Sequence, residues 1–369
     1  MPNNRITTLK YLSFRTATSW LSVMIPWLFF CMLACTPPEE QETSEPLVQD
    51  QPPQADPDEE YVMVTTIVNF PMYVNHDQVA FQRWGESRGV RTSILGPSEW
   101  DIQAQISTIE QVIGTRPAGL LINGTDPAIA SAINQAVEAG IPTVVYDSDV
   151  PMSKRHSFLG TNWYEMGTLM GEEIVELTGG TGKIAYLGIL GLKNMEDGYR
   201  GLMDVLEDYP QIELIGKYDD QANTEIAARL ASDLLSAHPD LAAFCAFTPM
   251  SGFGCAQTVK EAGKVGEVLV TTVNYEPELL TLLEEGVIQQ LVCQKRELFT
   301  WYGAQFLFDM VHDTNMLSTN DDRAGITNIP YSVNTGTFAL TRENMDAFAR
   351  DPQAFLDLPY DLLATQSHE

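Results

Sequence analysis

A chain of 369 residues, 44% of them hydrophobic, is long enough to bury the cores of two packed lobes. Its 21 basic against 50 acidic residues exclude nucleic acid and anionic lipid surfaces as partners, because both demand clustered lysine and arginine. Beyond that, the acidic excess signifies only a well-solvated surface.

The chain opens on an export signal. Arg5, Lys10 and Arg15 precede the apolar run WLSVMIPWLFFCMLA, Trp20 to Ala34, with no acid among them. At 1.5 Å per residue the run falls short of a bilayer core of roughly 30 Å, and Pro26 interrupts it, so residues 1–34 read as a cleaved segment and not a spanning helix. MLAC, Met32 to Cys35, is similar to the lipobox of bacterial lipoproteins, which implies lipidation of Cys35; an ordinary secretory signal with an incidental cysteine is the alternative. Thr36 to Glu60 hold six prolines, nine acids and no basic residue, so residues 35–60 read as an extended tether.

From Tyr61, β-branched runs alternate with amphipathic stretches of helical length. YVMVTTIVN, VRTSIL, PAGLLIN and IPTVVYD read as strands, and AIASAINQAVEAG, Ala128 to Gly140, as the clearest helix between them. At the mouth of the fourth strand stand Asp147 and Asp149, ahead of Pro151. These acids serve either to cap the turn or to accept hydrogen bonds from a ligand. A second series follows: GKIAYLG, IELIGKY, LAAFCAF, EVLVTTVN and VIQQLVCQ, with helices such as TEIAARLASDLLSAH between. The fold class is therefore α/β, two doubly wound parallel-sheet lobes, and the lack of a Pro- or Ser-rich linker implies short crossovers. Open parallel sheets bind ligands beyond the carboxyl ends of their strands, where Asn69, Asn123, Asp147, Asp149, Thr161, Asn162, Thr248, Asn274 and Gln294 stand. Phe70, Tyr73 and Trp163 lie beside them and could cover the apolar face of a sugar ring.

Enzyme signatures are missing. There is no GxSxG elbow, and His76, His156, His238, His312 and His368 have no metal-ligand spacing, so no metal, cofactor or catalysis is expected. GGTGK, Gly179 to Lys183, imitates part of a phosphate loop but precedes a strand and has Ile184 where a magnesium-holding hydroxyl belongs; it reads as a helix-to-strand turn. Cys245, Cys255 and Cys293 read as buried thiols, with a bridge between Cys245 and Cys255 the weaker alternative.

NFPMY, GLLINGTDPAIASAINQAVEAGIPTVVYDSDVPMSKR, FLGTNWYEMG, AHPDLAAFCAF and TGTFALTRENMDAF occur in that order between about Tyr61 and Phe348. Over this span the chain resembles the substrate-binding proteins of bacterial ABC sugar importers, of the ribose and galactose type. The resemblance implies two lobes joined by three crossings and closing on a sugar. The first lobe would comprise residues 61–161 and 295–326, the second 162–294 and 327–350, leaving 351–369 as a tail. It further implies that Asn69, Phe70, Tyr73, Asp147 and Asp149 face the ligand from the first lobe, and Asn162, Trp163, Thr248, Asn274 and Gln294 from the hinge and second lobe. Departures stand at Asn162, Thr248 and Asn274, and at Gly198, where the family often has arginine; they argue against borrowing ribose or galactose as the ligand. The function so implied is a monomeric, lipid-anchored binding protein that delivers a sugar or polyol to an ABC permease. A sensor partnering a membrane histidine kinase or chemoreceptor, and a sugar-modifying enzyme, are the rival readings.

Overall fold

The computed structural model describes residues 55–314 and 324–348. The export signal, Cys35, the tether as far as residue 54 and the tail 351–369 lie outside the described residues.

Two six-stranded sheets organise the described chain. The first holds β1 (Glu60–Val64), β2 (Arg91–Leu95), β3 (Gly119–Asn123), β4 (Thr143–Asp147) and β5 (Ser157–Gly160), joined late in the chain by β11 (Ser332–Asn334). Its order is β11, β5, β4, β3, β1, β2, with every pair parallel. The second holds β6 (Gly182–Gly188), β7 (Ile212–Asp219), β8 (Leu241–Ala246), β9 (Leu269–Val273), β10 (Gln290–Gln294) and β12 (Thr337–Leu340), in the order β12, β10, β9, β8, β6, β7. The two orders are the same pattern repeated, so β4 corresponds to β9 and β2 to β7. One pair breaks the parallel expectation: β12 runs antiparallel to β10.

Helices cover both faces of each sheet, which is why the strands are apolar without alternation. In β1, Tyr61 and Met63 pack with Phe81 and Trp84 of α1 (Val79–Arg88) and Phe299 and Phe308 of α9 (Arg296–Val311). Val62 and Val64 face the other way, onto Ile109 and Val112 of α2 (Ile102–Thr115) and Ile133 of α3 (Ala130–Glu138). In the second lobe α4 (Trp163–Thr178) and α5 (Lys193–Leu206) cover Ile184 and Tyr186 of β6. Ala185 and Leu187 face α6 (Thr224–Ala237), α7 (Pro249–Glu261) and α8 (Pro277–Glu284).

Three short crossings join the lobes: Gly160 to Trp163, Gln294 to Arg296 and Asn334 to Thr337. The last falls later than the expected boundary between 326 and 327, because Ser332–Asn334 hydrogen-bonds to β5 in the first sheet. The crossings are tied together: the Thr335 amide donates to the Gly160 carbonyl at 3.0 Å and the Asn162 amide to Asn334 Oδ1 at 3.2 Å. Gly179 and Gly180 end α4 with positive φ, so GGTGK is a helix-to-strand turn. Cys245, Cys255 and Cys293 are buried and unbridged.

Candidate functional site

Two counterpart strands deliver counterpart side chains. Asp147 ends β4 with φ +73° and Asn274 follows β9 with φ +67°, both left-handed. Aspartate and asparagine tolerate this conformation better than most residues. It turns each chain sharply at the sheet edge, and both side chains line a cleft of about 520 Å³ between the lobes.

Asp147 is fixed before any ligand arrives. Its Oδ2 accepts from Asn123 Nδ2 at 3.2 Å and its Oδ1 from Arg296 NH1 at 2.9 Å. Arg296, only 1% exposed, also donates to Gln294 Oε1 at 3.1 Å and bidentately to Asp77, at 3.0 and 2.6 Å. Burial lifts the Asp77 carboxyl to about 7, against the pull of the Arg296 guanidinium, and the neighbouring Asp147 charge adds to the lift. Asp147 at the floor of the cleft and the fully buried Asp77 behind it thus share one guanidinium. Sequence reasoning missed both Arg296 and Asp77. Arg296 had a signal, standing two residues beyond Gln294 at the mouth of a strand; Asp77 lies within a helical segment and had none.

Of the residues expected at the ligand, Phe70, Tyr73, Asp147, Trp163, Thr248, Asn274 and Gln294 line this cleft. Three others stand outside its lining. Asn69 is exposed in the loop after β1. Asp149 is held by Arg155, with Nε to Oδ1 at 2.5 Å and NH2 to Oδ2 at 2.7 Å, and Arg155 NH1 donates on to the Tyr331 carbonyl. Asp149 thereby pins the β4–β5 turn to the segment entering β11. The left-handed bend at Asp147 explains why two acids two residues apart do not point the same way. Asn162 caps α4, accepting from the Tyr164 amide at 3.2 Å and donating to Glu165 Oε1 at 2.8 Å.

The floor keeps unspent hydrogen-bonding capacity. Trp163 Nε1, Asn274 Oδ1 and Gln294 Nε2 are buried and make no hydrogen bond among the described residues. Burying such groups without partners costs about 1–3 kcal/mol each, so a donor and acceptor set of this kind suits a ligand rich in hydroxyls. Thr248 is less available: it caps α7, accepting from the Ser251 amide at 3.0 Å, with its hydroxyl 2.5 Å from that of Ser251. Apolar side chains complete the walls, among them Phe70, Ile189, Met195 and Phe247. At Gly198 the space for an arginine is filled, since a Cβ there would lie 2.5 Å from the Phe247 ring. No group of three or more potential metal-ligating side chains occurs among the described residues.

A family model described as periplasmic binding protein domain matches residues 61–313. The D-allose-binding periplasmic protein of Escherichia coli (strain K12) is 25% identical over 247 residues, covering 64% of this chain and 79% of that protein. Two solved structures share the fold at higher identity. An arabinose binding protein from Geobacillus stearothermophilus is 31% identical, spans 79% of this chain and 99% of its own, and superimposes with a TM-score of 0.70. A sugar-binding protein of a sugar ABC transporter from Bacillus halodurans is 30% identical, with 79% and 100% coverage and a TM-score of 0.73. All three are binding proteins and none is an enzyme. A doubled sheet pattern hinged at three crossings, matched along both lobes by one family, makes this chain a member of the periplasmic binding protein family.

Proposed function

We propose that the chain is an extracytoplasmic binding protein that captures a sugar or related polyol between its lobes and delivers it to an ABC permease. Family membership implies export, and the lipobox-like MLAC supports anchoring to the envelope through Cys35. One observation carries the ligand class: the buried, unpaired Trp163 Nε1, Asn274 Oδ1 and Gln294 Nε2 converge with the preset Asp147 carboxylate on one cleft. A ring bearing several hydroxyls both donates to the carboxylate and engages these amides, while Phe70 and Trp163 supply apolar faces. The names of the relatives, binders of allose and arabinose, point the same way. Hinge closure on the ligand would bring the Asn274 and Asp147 sides together and present a closed form to the permease.

Isothermal titration of the exported chain against a panel of pentoses, hexoses, alditols and disaccharides tests this reading. Saturable heat with at least one of them is expected. Silence across the panel, with the protein shown to be folded, would overturn it.

A further inference from the structure

The cleft extends well beyond the polar floor, and its far end is built differently. Asp147, Asn274, Gln294 and Arg296 are all less than a tenth exposed and lie on the strands beside the three crossings. Trp100 lines the same cleft from the loop after β2, the edge strand of the first sheet farthest from the crossings, and is 50% exposed. From the second lobe, Asp219 at the end of β7, the corresponding edge of the second sheet, and Gln221 and Ala222 in the loop after it line the cleft too. Between β4 and β2 lie β3 and β1, so the loop bearing Trp100 is about three strand spacings, ~14 Å, from the strand bearing Asp147. The polar floor and the Trp100 loop therefore stand at different ends of the cleft. A cleft of about 520 Å³ joins the two ends.

The rim is also fixed in place. Gln221 and Ala222 hold φ of +56° and +50°, a conformation that non-glycine residues avoid. Asp219 Oδ1 and Asp220 Oδ1 accept from their amides at 3.0 Å each and hold the loop in that shape. An indole half open to water is a costly thing to leave on a surface and a good platform for the apolar face of a sugar. Facing it, Gln221 is exposed and offers both a donor and an acceptor.

Resting on the sugar-binding reading above, we propose that the cleft takes a disaccharide: one ring at the Asp147, Asn274 and Gln294 floor, the second stacked on Trp100 and hydrogen-bonded from the Gln221 loop. Tightest binding then requires two rings, and Trp100 sets the preference.

The test titrates the full exported chain, and its Trp100→Ala and Trp100→Phe variants, with 1→3-, 1→4- and 1→6-linked disaccharides of glucose and galactose, with 1→3- and 1→5-linked disaccharides of arabinose, and with those monosaccharides singly. The readout is the ratio of disaccharide to monosaccharide affinity. At least one disaccharide should bind tenfold or more tighter than either component; Trp100→Ala should cut that ratio at least fivefold and Trp100→Phe should retain most of it. If monosaccharides bind and no disaccharide exceeds them, or if Trp100→Ala leaves the ratio intact, the second-ring subsite is wrong while the sugar reading survives. If neither class binds to folded protein, the second-ring subsite falls, and the wider panel of pentoses, hexoses and alditols decides the sugar reading.

Discussion

Asp147 and Asp149 show how one backbone angle divides two identical side chains. The left-handed φ of +73° at Asp147 aims its carboxylate at Arg296 and the cleft, and Asp149, two residues on, meets Arg155 instead. Replacing Asp147 with Asn keeps the shape and removes the charge. A hydrogen bond to a charged group is worth about 1.5–3 kcal/mol, so Asp147→Asn should raise the Kd roughly 10- to 100-fold by calorimetric titration. Asp149→Ala should behave oppositely, leaving the Kd within about twofold while lowering stability by about 3–5 kcal/mol, because the Arg155 side chain it strands is only 1% exposed. Denaturant unfolding and titration on the same samples check both, and an affinity loss at Asp149 equal to that at Asp147 would refute the division. The strand-end position of both acids was legible in VVYDSDVP, because β-branched runs stopping at polar residues mark strand mouths. Their separate duties were not, since Arg296 reaches Asp147 from a distant part of the chain and the path of the β4–β5 turn decides that Arg155 meets Asp149.

At the scale of elements, helices α4 and α5 approach so closely that glycine is required. A Cβ on Gly167 would sit 1.8 Å from the Gly198 carbonyl oxygen, and one on Gly201 would sit 2.0 Å from that of Tyr164. Both contacts are with backbone and cannot be relieved by a rotamer change. Gly167→Ala should therefore force the helices apart at a cost of about 1–3 kcal/mol or more, read as a lowered thermal midpoint. It should also weaken ligand binding, because Trp163 at the start of α4 and Met195 on α5 both line the cleft. An unchanged midpoint would show that the helices can separate freely. The βαβ succession was readable from hydrophobic period alone, and so was the GGTGK turn, for which local chain geometry suffices. The antiparallel β12 and the late entry of β11 into the first sheet were not, because strand pairing is a choice among distant partners.

For the whole molecule, a titratable pair of the first lobe meets the second lobe beside the hinge. His76 Nδ1 lies 2.7 Å from Glu297 Oε1, and Tyr275 of the second lobe donates its hydroxyl to the same carboxylate at 3.0 Å. Burial alone would lower the His76 pKa, but the hydrogen bond and charge of Glu297, helped by the charges of Glu276 and Asp77, raise it above 6.5. Burial likewise pushes Glu297 up, and its bonds to His76 and Tyr275 with the His76 charge win and hold it below 4.5. The histidine contribution is complete below 6.5 and is lost as pH rises through the raised value. The glutamate contribution is complete above 4.5 and is lost as pH falls through the lowered one. The pair is therefore strongest between about pH 4.5 and 6.5. Scanning calorimetry from pH 6 to 9 should show the wild-type midpoint falling more steeply than that of His76→Gln. Parallel profiles would dismiss the pair as a source of pH dependence.

The sequence by itself determined the α/β class, the doubled series of strands and several of the polar residues that crown the cleft, Asp147, Thr248, Asn274 and Gln294 among them. Period and strand-end chemistry are local properties, written within a few residues of each other. Only the tertiary structure decided that Arg296 joins the floor with Asp77 beneath it, that Asp149 and Asn162 stand outside the cleft lining, and that Trp100 shares a cleft with Gln221. The first and last of these join residues far apart in the chain, and the second turns on the backbone bends at the sheet edge, neither of which a local period encodes.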